Sequence, residues 1–208
     1  MALRLFLLRH AETAWNRERR YQGWTDTALS DAGRGQAEAA GRALAGTPLQ
    51  AVYASPLCRA QETAAAVAAP HGLAVRAAAA FKEMGFGRWE GLTVDEARAQ
   101  DPALYRAWLE TPHLASPPGG ESLEEVKRRV LAGLDALRNE HDEETVCLVA
   151  HGITARILIL EALGLPLARI WSLHVSSAGI SELEFRPDWT ALHRMNTLVH
   201  LDAVLAGR

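Results

Sequence analysis

Three apolar runs, LRLFLL (3–8), AVYA (51–54) and TVCLVA (145–150), each end abruptly in polar chemistry. This pattern limits the fold more than any other feature of the chain. The first run passes straight into Arg9-His10, the second into Ser55 and Arg59, and the third into His151-Gly152. Short, continuously apolar runs of this kind read as strands covered on both faces. Helical stretches separate them. Ser30 is an N-cap for 31–45, with Gly46 closing that helix. A second helix runs from Leu57 to about Ala69 and is stopped by Pro70 and Gly72. Residues 93–110 form two short helices broken before Pro102. Ser122 and Glu125 make a capping box that opens a long amphipathic helix to about residue 140, and another helix covers 153–164.

Val75 marks a further strand, TPHLASPPGG (111–120) is a loop, and HDEE (141–144) reads as a solvated turn. WSLHV (171–175), ISELEF (180–185) and ALHRM (191–195) read as shorter strands of an antiparallel or mixed region. Strands alternating with helices predict an α/β three-layer sandwich, a mostly parallel central sheet with helices on both faces. In such folds the site lies at the carboxyl ends of the strands. The three polar bursts therefore converge on one sheet edge.

Composition narrows the function classes. The chain has 208 residues, 49% of them apolar, which suits one domain over 1–208 with a helical, cap-like insertion around 81–120. A net charge of −3 argues against a nucleic-acid partner. No run approaches the ~18 apolar residues of a membrane span, and MALRLFLLRH is too short an apolar run for a signal peptide. Two distant cysteines, Cys58 and Cys147, read as reduced thiols, so the expected location is cytoplasmic. All but two of the 22 basic residues are arginine, the exceptions being Lys82 and Lys127. A lone arginine therefore carries little weight.

The convergence is a different matter. Singly, a histidine at a strand end is usually a packed or hydrogen-bonded structural residue, and Arg59 is surface charge by default. Together, two imidazoles and two guanidiniums at one edge call for an anion. Phosphate suits them best, because guanidinium forks match its oxygens. The strand-to-helix passage at His151-Gly152 adds backbone N–H groups and a helix dipole to the same pocket. His10 directly follows the innermost strand beside Arg9, and neighbouring arginines disfavour its imidazolium. It is therefore the candidate nucleophile. His151, Arg9 and Arg59 would stabilise the transferring group. Glu83, set among Phe81, Met84, Phe86 and Trp89, is the candidate proton donor to the leaving group. The plain alternative is a glutamate on a surface loop.

These same residues carry a resemblance. RHAETAWN (9–16), YQGWTDTALSDAGRGQA (21–37), SPLCRAQETA (55–64), FKEMGFGRWEG (81–91), PGGES (118–122) and VAHG (149–152) together resemble the histidine phosphatase superfamily, the phosphoglycerate-mutase-like proteins. The resemblance covers nearly the whole chain. It implies a phosphoglycerate-mutase-like fold and a phosphohistidine on His10, with Arg9, Arg59 and His151 as the phosphate pocket. Glu83 would act first as acid and then as the base that activates water. Asn16 would contact the phosphate, with Gln22 and Gly23 lining the mouth and Gly152 letting the backbone approach. It implies no cofactor and no metal, in keeping with the lack of HExxH or Cys/His ligand spacings. Two positions depart from the family pattern. Ala11 replaces the glycine of the usual RHG, and Glu62-Thr63 replaces a Gln-Thr pair, read as a helix-surface or outer-layer difference.

The short stretch between Glu83 and His151 leaves little room for the longer insertion of the family's mutases. The implied activity is thus a phosphomonoesterase acting on a small phosphorylated metabolite. Sugar phosphates, phosphoglycerate derivatives, phosphoserine and α-ribazole phosphate are all open as substrates. A phosphoglycerate mutase is the alternative. A non-catalytic phosphate-binding protein is a third reading, disfavoured because every catalytic position is present. Arg88, Arg106 and His113 are further candidates for the substrate end, whereas Trp89 and Trp108 read as packing. The chain is expected to be a monomer or a homodimer, paired through edge strands near 171–195.

Overall fold

A computed structural model of the chain describes residues 2–202. In chain order the strands are β1 (Leu3–Arg9), β2 (Ala51–Ala54), β3 (Val75–Ala77), β4 (Glu144–Ala150), β5 (Ile180–Phe185) and β6 (Thr190–Thr197). The helices are α1 (Ala14–Arg17), α2 (Asp31–Leu44), α3 (Cys58–Ala68), α4 (Val94–Gln100), α5 (Pro102–Glu110), α6 (Leu123–Glu140) and α7 (Gly152–Ala162). One six-stranded sheet has the order β3-β2-β4-β1-β5-β6, and within it only β5 runs against the others.

Period-two geometry explains why the three apolar runs are central. In β1, Leu3, Leu5 and Leu7 enter the core under α6 and α7, while Phe6 and Leu8 enter a second core under α2 and α3. β4 divides in the same way, with Val146, Leu148 and Ala150 on one face and Cys147 and Val149 on the other. β2 splits likewise between Ala51 and Tyr53 and between Val52 and Ala54. Strands that are apolar on both faces can sit only in the middle layer, which is why the sheet is mostly parallel and covered twice. The predicted caps are in place. The Ser30 hydroxyl accepts from Gly33 N, and Ser122 and Glu125 form the reciprocal box at the start of α6.

Two expectations fail, each for a physical reason. WSLHV is not a strand. Leu167–Ser172 is a 3₁₀ helix, and the residues after it lie outside the sheet. The backbone carbonyls there are taken by side chains: Leu173 O accepts from Arg156 Nε at 2.9 Å, and Val175 O accepts from Arg9 Nη1 at 2.8 Å. The alternation of Trp171, Leu173 and Val175 is thus a packing pattern with no ladder behind it. HDEE is also not fully solvated. His141 is buried at the end of α6, its Nε2 2.7 Å from the Tyr53 hydroxyl and its Nδ1 2.6 Å from Glu144 Oε2.

The start of α2 buttresses the loop after β1. Ser30 N donates to Glu12 O at 2.9 Å, and Glu12 N donates to Gln36 Oε1 at 3.0 Å. The approach is so close that a Cβ on Gly33 would lie 2.0 Å from Glu12 O. Replacing glycine by alanine within a helix ordinarily stabilises by about 0.5–1 kcal/mol. Gly33→Ala should do the reverse and cost about 1–3 kcal/mol through overpacking, as read by urea denaturation. A neutral or stabilising result would show that this contact is loose.

Candidate active site

β1 and β4 pair in parallel register, with Arg9 opposite Ala150, and His10 N continues the ladder by donating to Ala150 O at 2.9 Å. The two histidines that follow these strands are therefore neighbours, with ring centroids 5.1 Å apart. Both are buried. His10 Nδ1 lies 2.8 Å from Ala11 O. A carbonyl can only accept, so Nδ1 carries the proton and Nε2 keeps its lone pair. Neither nitrogen of His151 has a hydrogen-bond partner, although both are buried, and the same holds for Nε of Arg9 and of Arg59. Four unsatisfied buried polar groups in one place mark a site for a ligand.

β2 delivers the third element. Arg59, in the first turn of α3, is fully buried; Nη1 donates to Thr25 O at 2.9 Å and Nη2 to Gly23 O at 2.8 Å. Gly23 has φ +53°, and a Cβ there would meet Glu90 Oε1 at 2.2 Å, so a side chain at this turn would be strained and would displace the Glu90 carboxylate. Thr63, one turn along α3, is buried and links Arg59 O at 2.7 Å to Ala11 N at 3.0 Å. It ties the two arms of the site together, whereas neighbouring Glu62 is partly exposed.

A cleft of about 590 Å³ opens over these groups. Arg9, His10, Asn16, Gln22, Gly23, Arg59, Glu83 and Gly152 all line it, whereas His151 is not among its lining residues and is buried with its ring centroid 5.1 Å from that of His10. Gln22 Oε1 is held by the hydroxyls of Thr13 (3.0 Å) and Thr27 (2.6 Å), leaving its amide N–H groups for a ligand. Asn16 Oδ1 is held by Thr13 N at 2.9 Å, so it too can offer only N–H. Glu83 is buried; Oε1 accepts from Met84 N at 2.9 Å and from Ile153 N at 3.3 Å. One N–H of the α7 N-terminus therefore serves the carboxylate, whereas the sequence reading gave that helix end to the phosphate. A Cβ on Gly152 would lie 3.4 Å from Arg156 Nη1, 3.6 Å from Glu83 Oε2 and 3.9 Å from Arg9 Cζ. Two guanidiniums and the Glu83 carboxyl group thus converge on this glycine.

Arg88, Arg106 and His113 do not line the cleft. Trp89 packs in the core, and Trp108 both packs there and forms part of the cleft wall with Phe86. Arg156 is one cleft residue that sequence reasoning missed. It stands one turn after Gly152 in an arginine-rich chain, and nothing in the pattern set it apart. A second cavity, about 550 Å³, is lined by Arg4, Glu182, Arg194 and His200 among others, but these groups are already paired: Glu182 binds both arginines and His200 Nε2 lies 3.0 Å from Ala178 O. Among the described residues no cluster of His, Cys, Asp or Glu could hold a metal ion, and no helix is long and apolar enough to cross a membrane.

The electrostatics favour a neutral imidazole facing a cationic pocket. Burial, and then the charges of Arg59 and Arg9, holds the pKa of His10 well below the ordinary 6.5. Burial, then His10 and the same arginines, does so for His151. Burial is thus the larger cause for His10, and the arginines, expected from sequence to be the reason, come second. Desolvation also lowers Arg9, Arg59 and Arg156, the last to about 10, yet all three remain cationic at neutral pH.

The chain belongs to the histidine phosphatase superfamily (branch 1), whose model matches residues 5–198. It is similar to phosphoserine phosphatase 1 of Hydrogenobacter thermophilus, 34% identical over 199 residues, which is 96% of this chain and 94% of that protein. It is also similar to a probable phosphoglycerate mutase, GpmB, of Erwinia tasmaniensis, 30% identical over 190 residues and 91% and 88% of the two chains. Among solved structures, YhfR of Bacillus stearothermophilus superposes with a TM-score of 0.91 at 32% identity, covering 96% of this chain and 100% of that one.

The buried neutral histidines make stability depend on pH. Unfolding frees imidazoles of ordinary pKa, which take up protons below about pH 6.5, whereas the folded forms do not. Stability should therefore be fully present above about pH 7 and fall on acidification, by up to about 1.4 kcal/mol per pH unit for each histidine. Urea denaturation at pH 7.5, 6.5 and 5.5, in buffer free of phosphate, checks this. A flat profile would contradict the assignment of both rings as neutral.

Proposed function

We propose that this protein is a phosphomonoesterase that hydrolyses a small phosphorylated metabolite through a phosphohistidine on His10. The observation that carries the reading is the 2.8 Å contact between His10 Nδ1 and Ala11 O, which leaves Nε2 as the free nucleophile. In the first step the Nε2 lone pair attacks phosphorus and the P–O ester bond breaks. The bonding pair stays on the leaving oxygen, which takes a proton from Glu83. In the second step the Glu83 carboxylate accepts a proton from water as the water oxygen bonds phosphorus. The P–N bond breaks, its pair returns to Nε2, and inorganic phosphate leaves with Glu83 protonated again. Arg9, Arg59 and a neutral His151 donate to the equatorial oxygens, where charge accumulates. The amides of Asn16 and Gln22, with the backbone at Gly152 and Gly23, would complete the cradle.

Hydrolysis is preferred over phosphoryl return to the leaving group because the segment between Glu83 and His151 is too short for the longer insertion of the family's mutases. Between Glu83 and His151 the cleft is lined by Phe86, by Val94 of α4 and by Tyr105, Trp108 and Leu109 of α5, all within the 81–120 segment that we read as a cap on a single domain. The phosphoserine phosphatase among the relatives supports this reading, and the mutase relative keeps phosphoglycerate isomerisation as the second reading. The free thiols of Cys58 and Cys147 fit a reducing, cytoplasmic setting.

His10→Ala should lower hydrolysis on the order of 10³-fold or more and abolish acid-labile labelling by a ³²P-phosphomonoester. A variant that keeps either would overturn the nucleophile. Phosphate release across a panel of sugar phosphates, phosphoglycerates, phosphoserine and α-ribazole phosphate should exceed isomerisation of bisphosphate-primed 3-phosphoglycerate. The opposite order would make the protein a mutase.

A further inference from the structure

Two motifs, GFGRWEG and PGGES, have so far no chemical role. In the fold they meet. Arg88 N donates to Pro118 O at 2.9 Å and Glu121 N to Gly85 O at 2.8 Å, so residues 85–88 and 118–121 dock backbone to backbone. Side chains are excluded from the contact: a Cβ on Gly87 would lie 2.4 Å from Pro118 O, and one on Gly120 the same distance from Gly85 O. The Glu121 carboxylate then turns inward, and Oε2 accepts from Gly85 N at 2.8 Å.

Arg129 of α6 completes the arrangement. A guanidinium has five N–H donors, and here each is used. Nε and Nη2 bind the two oxygens of Glu121, both at 2.9 Å. Nη1 donates to Ala80 O at 2.9 Å and Lys82 O at 2.6 Å, and Nη2 donates to Glu83 O at 2.9 Å. The second lone pair of Glu83 O is taken by Trp24 Nε1 at 2.8 Å, and Lys82 O also accepts from Thr154 Oγ1 at 3.0 Å. Neither Arg129 nor Glu121 lines the cleft. An ion pair of this kind adds little net stability, because desolvation offsets its attraction. What five directed bonds do supply is a fixed backbone.

We propose that Arg129 and Glu121, with Trp24, are positioning residues that hold the 80–85 loop so that the Glu83 carboxyl reaches the leaving oxygen. The proposal rests on the reading of Glu83 as the proton donor. It explains why the acid can sit on a loop without regular structure: the carbonyls of Ala80, Lys82 and Glu83 are tied to the α6 guanidinium. A lysine at 129 offers one nitrogen and three donors, and so cannot reproduce the fork.

The test separates acid function from folding by varying the leaving group. Phenyl phosphate, whose phenoxide leaves poorly, needs the acid far more than p-nitrophenyl phosphate. For Arg129→Lys and Glu121→Gln, kcat/KM on phenyl phosphate should fall on the order of 10- to 100-fold, as expected for a misplaced catalytic group. On p-nitrophenyl phosphate the fall should stay within about 3-fold. Trp24→Phe keeps a ring against Gly85 and loses one N–H; it should show the same selectivity to a smaller degree, and serves if Arg129→Lys does not fold. Glu83→Gln is measured alongside and should show the strongest selectivity. If Glu83→Gln is selective while Arg129→Lys, Glu121→Gln and Trp24→Phe slow both substrates equally or neither, the positioning role is overturned alone. If Glu83→Gln itself slows both equally, the acid assignment fails and takes the proposal with it.

Discussion

The parallel pairing of β1 with β4 is the constraint on which the site depends. Seven consecutive residue pairs from Leu3–Glu144 to Arg9–Ala150 set the register, and one further bond, His10 N to Ala150 O, carries it past the end of the strands. A slip of one residue would send Leu5 and Leu7 into the wrong core and part the two imidazoles. The hydrophobic pattern that places the sheet therefore also places the chemistry. β2 adds Arg59 to the same edge because it pairs with β4 in the same direction.

The positive groups gathered there work against the apo fold. Two imidazoles are held neutral, chiefly by burial, and guanidinium and imidazole nitrogens lie buried without partners. A phosphoryl dianion answers all of these needs at once: it offers acceptors to the free N–H groups and charge to Arg9 and Arg59. The neutral state that this field imposes is also the state a nucleophilic histidine requires. Strain in the unliganded site and reactivity in the liganded one thus share a cause.

Much of this was legible from residue order alone. Strands, caps and the convergence of Arg9, His10, Arg59 and His151 follow from patterns of two and 3.6 residues and from where those patterns stop. The residues that escaped were those whose role depends on side chain to backbone bonds over long separations. Arg156 and Arg129 resembled any other helix arginine until their carbonyl partners, Leu173 for the one and Ala80, Lys82 and Glu83 for the other, were located in space. WSLHV imitated a strand for the same reason, its carbonyls being claimed by arginines that lie 17 and 166 positions away. His141 looked solvated because its partner Tyr53 is 88 positions distant.

The central claim is that the backbone carbonyl of Ala11 selects which nitrogen of which histidine attacks. Rapid quenching of the ¹⁵N-histidine-labelled protein during turnover, followed by measurement of ³¹P–¹⁵N coupling in the denatured phosphoprotein and in its His10 peptide, tests this directly. The phosphoryl group should be bonded to Nε2 of His10. A phosphoryl on Nδ1 of His10, or on His151, would contradict the account.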